Sequence, residues 1–142
     1  MLFRSLSRWI LDRNNPLTWR SIVNRLWQHH FGRGIVDTPN DFGRMGQRPS
    51  HPELLVWLAV QFRDNGQSMK AIHRLILLSA TYRQSSTTRE AAAAIDGSNR
   101  YLWRMNRRRL DAEAVRDTVL VLADRMDEQM FGPSFQIGRA HV

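Results

Sequence analysis

What most limits the fold of this sequence is how clearly its helix boundaries are marked. Asn15-Pro16 supplies an N-cap followed by proline at the first helical position, where a missing N–H costs nothing. Behind it, Trp19, Ile22, Val23, Leu26, Trp27 and His30 recur at the spacing of one helix face, and Gly32 ends the run. Ser50-His-Pro-Glu53 reads as a capping box before a second helix that closes at Asn65-Gly66. Ser68 caps a third with Ile72, Leu75, Ile76 and Ser79 inward, and Asp111 caps a last one with Val115, Val119 and Leu122 inward. The spacing predicts helices over 16–31, 52–64, 69–82 and 112–126. Trp19, Trp27, Trp57, Leu75 and Val119 are expected in one core.

The class is therefore all-α, an irregular helical domain of about four main helices with long loops. A further helix face is formed by Leu2, Phe3, Leu6, Trp9 and Ile10. Residues 83–98 read as a polar connector with one short Ala turn, while 99–109 alternates in a way that suits strand or helix. A chain of 142 residues supports one domain, assigned to 1–136. Residues 137–142 fit no periodic element and match a translation of sequencing-adapter DNA, so they are expected to be a non-native tail. The chain is then a truncated portion of a larger domain, with an apolar face left open.

Several chemistries are excluded by composition. Without cysteine there are no disulfides, thiolate metal sites, cysteine nucleophiles or covalent c-type haem. The apolar runs fall far short of the roughly 20 residues that span a bilayer, and the opening segment lacks the apolar core of a secretory signal. The net charge of +8 rests on arginine, since Lys70 is the sole lysine. Arginine's planar fork suits carboxylate, sulfate or phosphate. Residues 99–110 hold five arginines and no acid, but residues 111–128 hold six acids, so the two blocks can neutralise each other.

Two segments are candidates for binding. The loop 32–53 carries Arg33, Asp37, Asp41, Arg44, Arg48 and His51 among glycines and prolines, which let backbone approach a ligand and stiffen the loop. The competing reading pairs Asp37 and Asp41 with Arg33 and Arg44 to hold the loop shut. Asp41-Phe-Gly43 lacks the rest of the kinase set. It is expected to form a local turn, with Asp41 accepting backbone N–H groups and Gly43 in a conformation other residues avoid. The second segment interleaves Arg104, Arg107 and Arg108 with Tyr101 and Trp103, as nucleic-acid binders do. Alternatively, Trp103 and Met105 point into the core and the arginines pair with Asp111, Glu113 and Asp117. No metal site is assigned: His29 and His30 point about 100° apart on a helix, and hydrogen-bonded histidines explain His30 and His51. No catalytic residue is assigned.

The order of Asn15-Pro-Leu17, Val23-Asn-Arg-Leu-Trp-Gln-His-His-Phe-Gly-Arg-Gly-Ile-Val36, Asp41-Phe-Gly43, Pro49-Ser-His-Pro-Glu-Leu-Leu55, Trp57-Leu-Ala59, Leu78-Ser-Ala-Thr-Tyr-Arg-Gln84 and Asn106-Arg-Arg-Arg-Leu110 resembles the planctomycete PSD-type domain of unknown function. Val56 departs from the acidic residue usual there, and Gln67 from a common tryptophan. The resemblance implies a non-catalytic interaction module of a larger exported protein, periplasmic or at the cell surface, associated with cytochrome-c domains. It implies haem only in a neighbouring domain, and as partner a cytochrome-c domain of the same parent chain or an extracellular acidic glycan. Two other readings stand: an enzyme, hydrolase-like or redox, whose site in the 32–53 loop is completed by residues outside this chain, and binding of nucleic acid or an acidic polymer through 99–109.

Overall fold

A computed structural model of the chain describes residues 2–127; the 137–142 segment lies outside them. Among the described residues there are six helices and no strand: α1 (Leu2–Leu11), α2 (Pro16–Phe31), α3 (Pro52–Asp64), α4 (Met69–Leu78), α5 (Glu90–Ile95) and α6 (Ala112–Leu122). The all-α class follows. The chain divides into two compact units, Met1–Arg108 and Arg109–Val142.

In the first unit α2, α3 and α4 pack on one another. Asn15 caps α2 with its side chain on the Leu17 amide, and Ser68 caps α4 on Ala71. Gly32 ends α2 in the left-handed conformation at φ 81, which costs glycine little. At the end of α3, Gly66 at φ 73 lets the Gln67 amide reach back to the Phe62 carbonyl. The core is built from Trp19, Val23, Leu26, Trp27 and Phe31 of α2, Leu55, Leu58, Ala59 and Phe62 of α3, and Ile72 and Ile76 of α4. Ile35 and Val36 of the following loop are also buried, and Ile22 and Leu75 pack at the edge.

Three expectations about α3 and α4 are corrected. The capping box does not form: α3 begins at Pro52 as expected, but its N-cap is His51 rather than Ser50, with no side-chain cap bond. Ser50 is committed elsewhere: its amide and hydroxyl both meet the Ile35 carbonyl. α4 stops at Leu78 because Ser79 turns extended, donates its hydroxyl to the Ile76 carbonyl and accepts from the Tyr82 amide. This is local bonding that competes with helix. Trp57 is 47% exposed, since the stripe Leu55, Leu58, Ala59, Phe62 already fills α3's inner face.

The second unit contains α6, capped by Asp111 on the Ala114 amide as expected. It ends at Leu122 rather than 126. Asp124 sits at φ 53 while the Arg125 amide reaches the Leu120 carbonyl and the Asp124 amide reaches Val121, a helix-terminating pair of bonds. Val119 is 58% exposed, so it is not a core residue. Open apolar side chains are also found in the first unit, on α1 (Leu6, Trp9) and on the outer face of α3 (Val56, Trp57).

Candidate functional site

Beyond Gly32 the chain must reverse against α2, and one buried side chain holds it there. Asn24, fully buried, donates Nδ2–H to the Val36 carbonyl at 2.9 Å and accepts the Val36 amide on Oδ1 at 2.8 Å. The amide thus acts as a one-residue strand partner, which α2 itself cannot supply. Gly34 is required beside it: a Cβ there would lie 2.5 Å from the Val36 carbonyl and 2.8 Å from Asn24 Nδ2. The Ile35 carbonyl is a second fixed point. It accepts the Ser50 amide at 2.9 Å, which closes the loop's two ends, and Nη2 of Arg100 at 2.9 Å; Arg100 Nη1 binds the Gly34 carbonyl at 3.1 Å.

On this frame the loop's ionisable residues separate into two sets. Arg33 and Asp37 form a two-bond ion pair, 2.8 and 2.5 Å. The Arg33 hydrogen bonds hold the Asp37 carboxyl below its ordinary range, against a smaller opposing effect of burial. Asp41 makes the expected turn, its Oδ1 accepting the Gly43 amide at 2.8 Å. It does not pair with Arg44, and Gly43 does not adopt positive φ, so its conformation is an ordinary one. The tight glycine is Gly46, whose Cβ would stand 2.2 Å from the Asp41 carbonyl. His51 shares a hydrogen bond with Ser50 Oγ at 2.9 Å and meets Tyr101 edge-on. Burial first, then the Arg100 charge, hold its imidazole below the usual range, which keeps it neutral at pH 7. Among the described residues no carboxylate bonds His51, so the Ser50–His51 contact lacks the third group that orients a catalytic base. Arg44 and Arg48 are exposed, with no polar partner among the described residues.

The arginine-rich segment caps α2. Arg108 donates to the His29 carbonyl, and Asn106 donates to that of Phe31 at 2.9 Å. Helix carbonyls that lack intrahelical partners, at the negative end of the dipole, thus meet a cation and an amide. Buried Asn99 shapes the segment by bonding the Arg104 carbonyl and Asn106 Oδ1, both at 2.8 Å. Trp103 donates its indole N–H to the Asp96 carbonyl, and Arg104 lies 5.2 Å over its ring with a buried Nε that has no hydrogen-bond partner. Leu102 and Met105 pack on the core. Arg107 is exposed. Of the basic residues proposed for binding here, Arg108 and Arg104 are thus built into the fold.

His30 and His73 face each other, Nε2 to Nδ1 at 2.7 Å, with Tyr82 edge-on to His30. Burial, followed by His73, His29 and Arg108, holds His30 below its ordinary range. Among the described residues no group of three metal-ligating side chains comes together. No helix there is long and apolar enough to cross a membrane.

Sequence reasoning missed Asn24, Asn99 and Arg100. Two signals were present: an asparagine inside the apolar stripe of α2, and an arginine block beginning right after a turn-forming Asp-Gly-Ser-Asn run.

A family model described as PSD1, protein of unknown function (DUF1553), matches residues 4–141. The chain belongs to the PSD1 family. No curated protein and no solved structure matches it. The match agrees with the resemblance carried by the ordered motifs. In this PSD1 chain those motifs are chiefly the framing residues just described: Asn15, Asn24, Gly32, Gly34, Ser50 and Asn106 all serve caps or loop closure.

Proposed function

We propose that this chain is a non-catalytic interaction module of a larger exported protein that also carries cytochrome-c domains. Its partner is a cytochrome-c domain of that parent chain or an extracellular acidic glycan. One observation carries the reading: on the 32–53 loop Asp37 and Asp41 are bonded within the domain, while Arg44 and Arg48 stand outside unpaired. A closed loop of this kind presents cations on a stiff support, so little entropy is lost on docking. The same commitments weigh against the enzyme reading, since Asp37 and Ser50 are bonded into the frame and Asp41 holds its own turn. Haem, if the parent protein binds it, belongs to its neighbouring domain.

The test is retention of the purified chain on a sulfated polysaccharide and on duplex DNA, each eluted with salt. The reading expects retention on the polysaccharide that weakens steeply with salt and falls in an Arg44→Ala/Arg48→Ala variant, with duplex DNA held less tightly. Equal retention by wild type and variant, or preference for DNA, contradicts it.

A further inference from the structure

A cleft of about 350 Å³ opens between the first half of α2 and residues 39–43. Leu17, Ser21 and Arg25 line it from α2 at i, i+4 and i+8, one face of the helix. Pro39, Asn40 and Phe42 line the other side. The polar groups there share one character. Arg25 donates Nη2–H to Asn40 Oδ1 at 2.7 Å. A guanidinium only donates, so the amide oxygen must face Arg25, and the two N–H donors of Asn40 face away from it. Arg25 keeps its remaining donors as well. The rim therefore offers donors to an acceptor-rich, negatively charged ligand, while Leu17, Pro39 and Phe42 form apolar walls.

We infer that this cleft takes one acidic sugar unit of an extended anionic polysaccharide, with Arg25 and Asn40 on its carboxylate or sulfate and the apolar walls against its C–H face. A bare anion has no use for the walls, and the volume exceeds what it needs. Nucleic acid fits less well: stacking a base requires an open aromatic face, and Phe42 is half-buried against the core. The polymer's further acidic groups have cations to meet, because Arg44 directly follows Gly43 at the cleft and Arg48 lies on the same loop. Asp41, the one acid of residues 38–48, holds its Oδ1 on the Gly43 amide. The inference rests on the interaction-module reading and specifies its partner.

The experiment is calorimetric titration of the 142-residue chain with a uronic-acid octasaccharide, its carboxyl-reduced counterpart, a sulfated octasaccharide and a thymidine oligonucleotide. The uronic or the sulfated oligosaccharide should bind, and which of them binds identifies the acidic group; the reduced one should not. Arg25→Gln keeps a donor for Asn40 but removes the charge, and Leu17→Asp places an acid on an exposed wall position. Each should weaken binding about tenfold or more. Leu17 makes no side-chain hydrogen bond, so Leu17→Asp decides the matter if Arg25→Gln disturbs the loop. If Arg44→Ala/Arg48→Ala abolishes binding while both cleft variants bind as wild type, the cleft inference is overturned and the module reading stands. If neither acidic oligosaccharide binds, the glycan partner falls for both. Oligonucleotide binding as tight as the best sugar overturns the inference in favour of nucleic acid.

Discussion

Replacing Asn24 by Ala removes the side chain that pairs with both backbone groups of Val36. Asn24 is 0% and Val36 2% exposed, so water does not readily replace the lost partner. A buried donor or acceptor left unsatisfied costs about 1–3 kcal/mol, and two are created. With some relaxation of the loop, Asn24→Ala should lose about 3–4 kcal/mol, a large part of the 5–15 kcal/mol typical of a whole domain. Urea unfolding followed by tryptophan fluorescence, to which the buried Trp19 and Trp27 contribute, measures this directly, with the denaturant slope checked so that the shift in midpoint reports stability. Asn24→Asp sharpens the test. The carboxylate still accepts the Val36 amide but faces the Val36 carbonyl with another acceptor. Its pKa in the folded chain is therefore raised, the folded state binds the extra proton, and stability should be recovered as pH falls and lost as pH rises. A loss below about 0.5 kcal/mol for Asn24→Ala, the range of ordinary surface substitutions, would refute the reasoning.

Other outcomes follow from the same frame. Gly34→Ala should cost about 2–3 kcal/mol, because its Cβ meets backbone and a pinned amide. Gly66→Ala has open space around it and should cost only about 1 kcal/mol, through its positive φ; equal losses in the two melts would contradict this. Arg100→Met should lose about 1.5–3 kcal/mol in urea unfolding by leaving the Gly34 and Ile35 carbonyls short of a charged donor. His30 and His51 are both held below 6.5, so the unfolded chain takes up protons first and stability should fall as pH drops through 6.5. A urea midpoint unchanged or rising from pH 7.5 to 5.5 would contradict that sign. Asp37 is held low instead, so its contribution persists above 3.8 and is lost only as pH falls below it.

How much of this was legible in the sequence depended on how local each cause is. Asn15, Gly32, Gly66, Ser68 and Asp111 act within a few residues of themselves, and each does what its position implies. Helix ends set by less distinctive residues were read too long: Ser79 and Asp124 end α4 and α6 by bonds that apolar periodicity overrides on paper. The face of Trp57 was misassigned because α3 carries apolar residues on two sides, and spacing alone does not say which side the core occupies. At the candidate site the Arg33–Asp37 pair and the Asp41 turn were within reach, being four and two residues apart. Asn24 and Arg100 were not, since their partners lie 12 and 65 or 66 residues away. A mid-helix asparagine and one arginine among five give no hint of which carbonyl they will find.

On the proposed function, the loop's inward residues hold structure while its outward cations hold the partner. The most direct measurement compares Asp37→Asn with Arg44→Ala/Arg48→Ala, recording the urea midpoint and the affinity for an acidic oligosaccharide on the same samples. Asp37→Asn should lower the midpoint by breaking the Arg33 pair and leave affinity within about twofold, while the arginine variant should keep stability within about 0.5 kcal/mol and lose affinity about tenfold or more. A destabilised arginine variant, or one that binds as tightly as wild type, would contradict it.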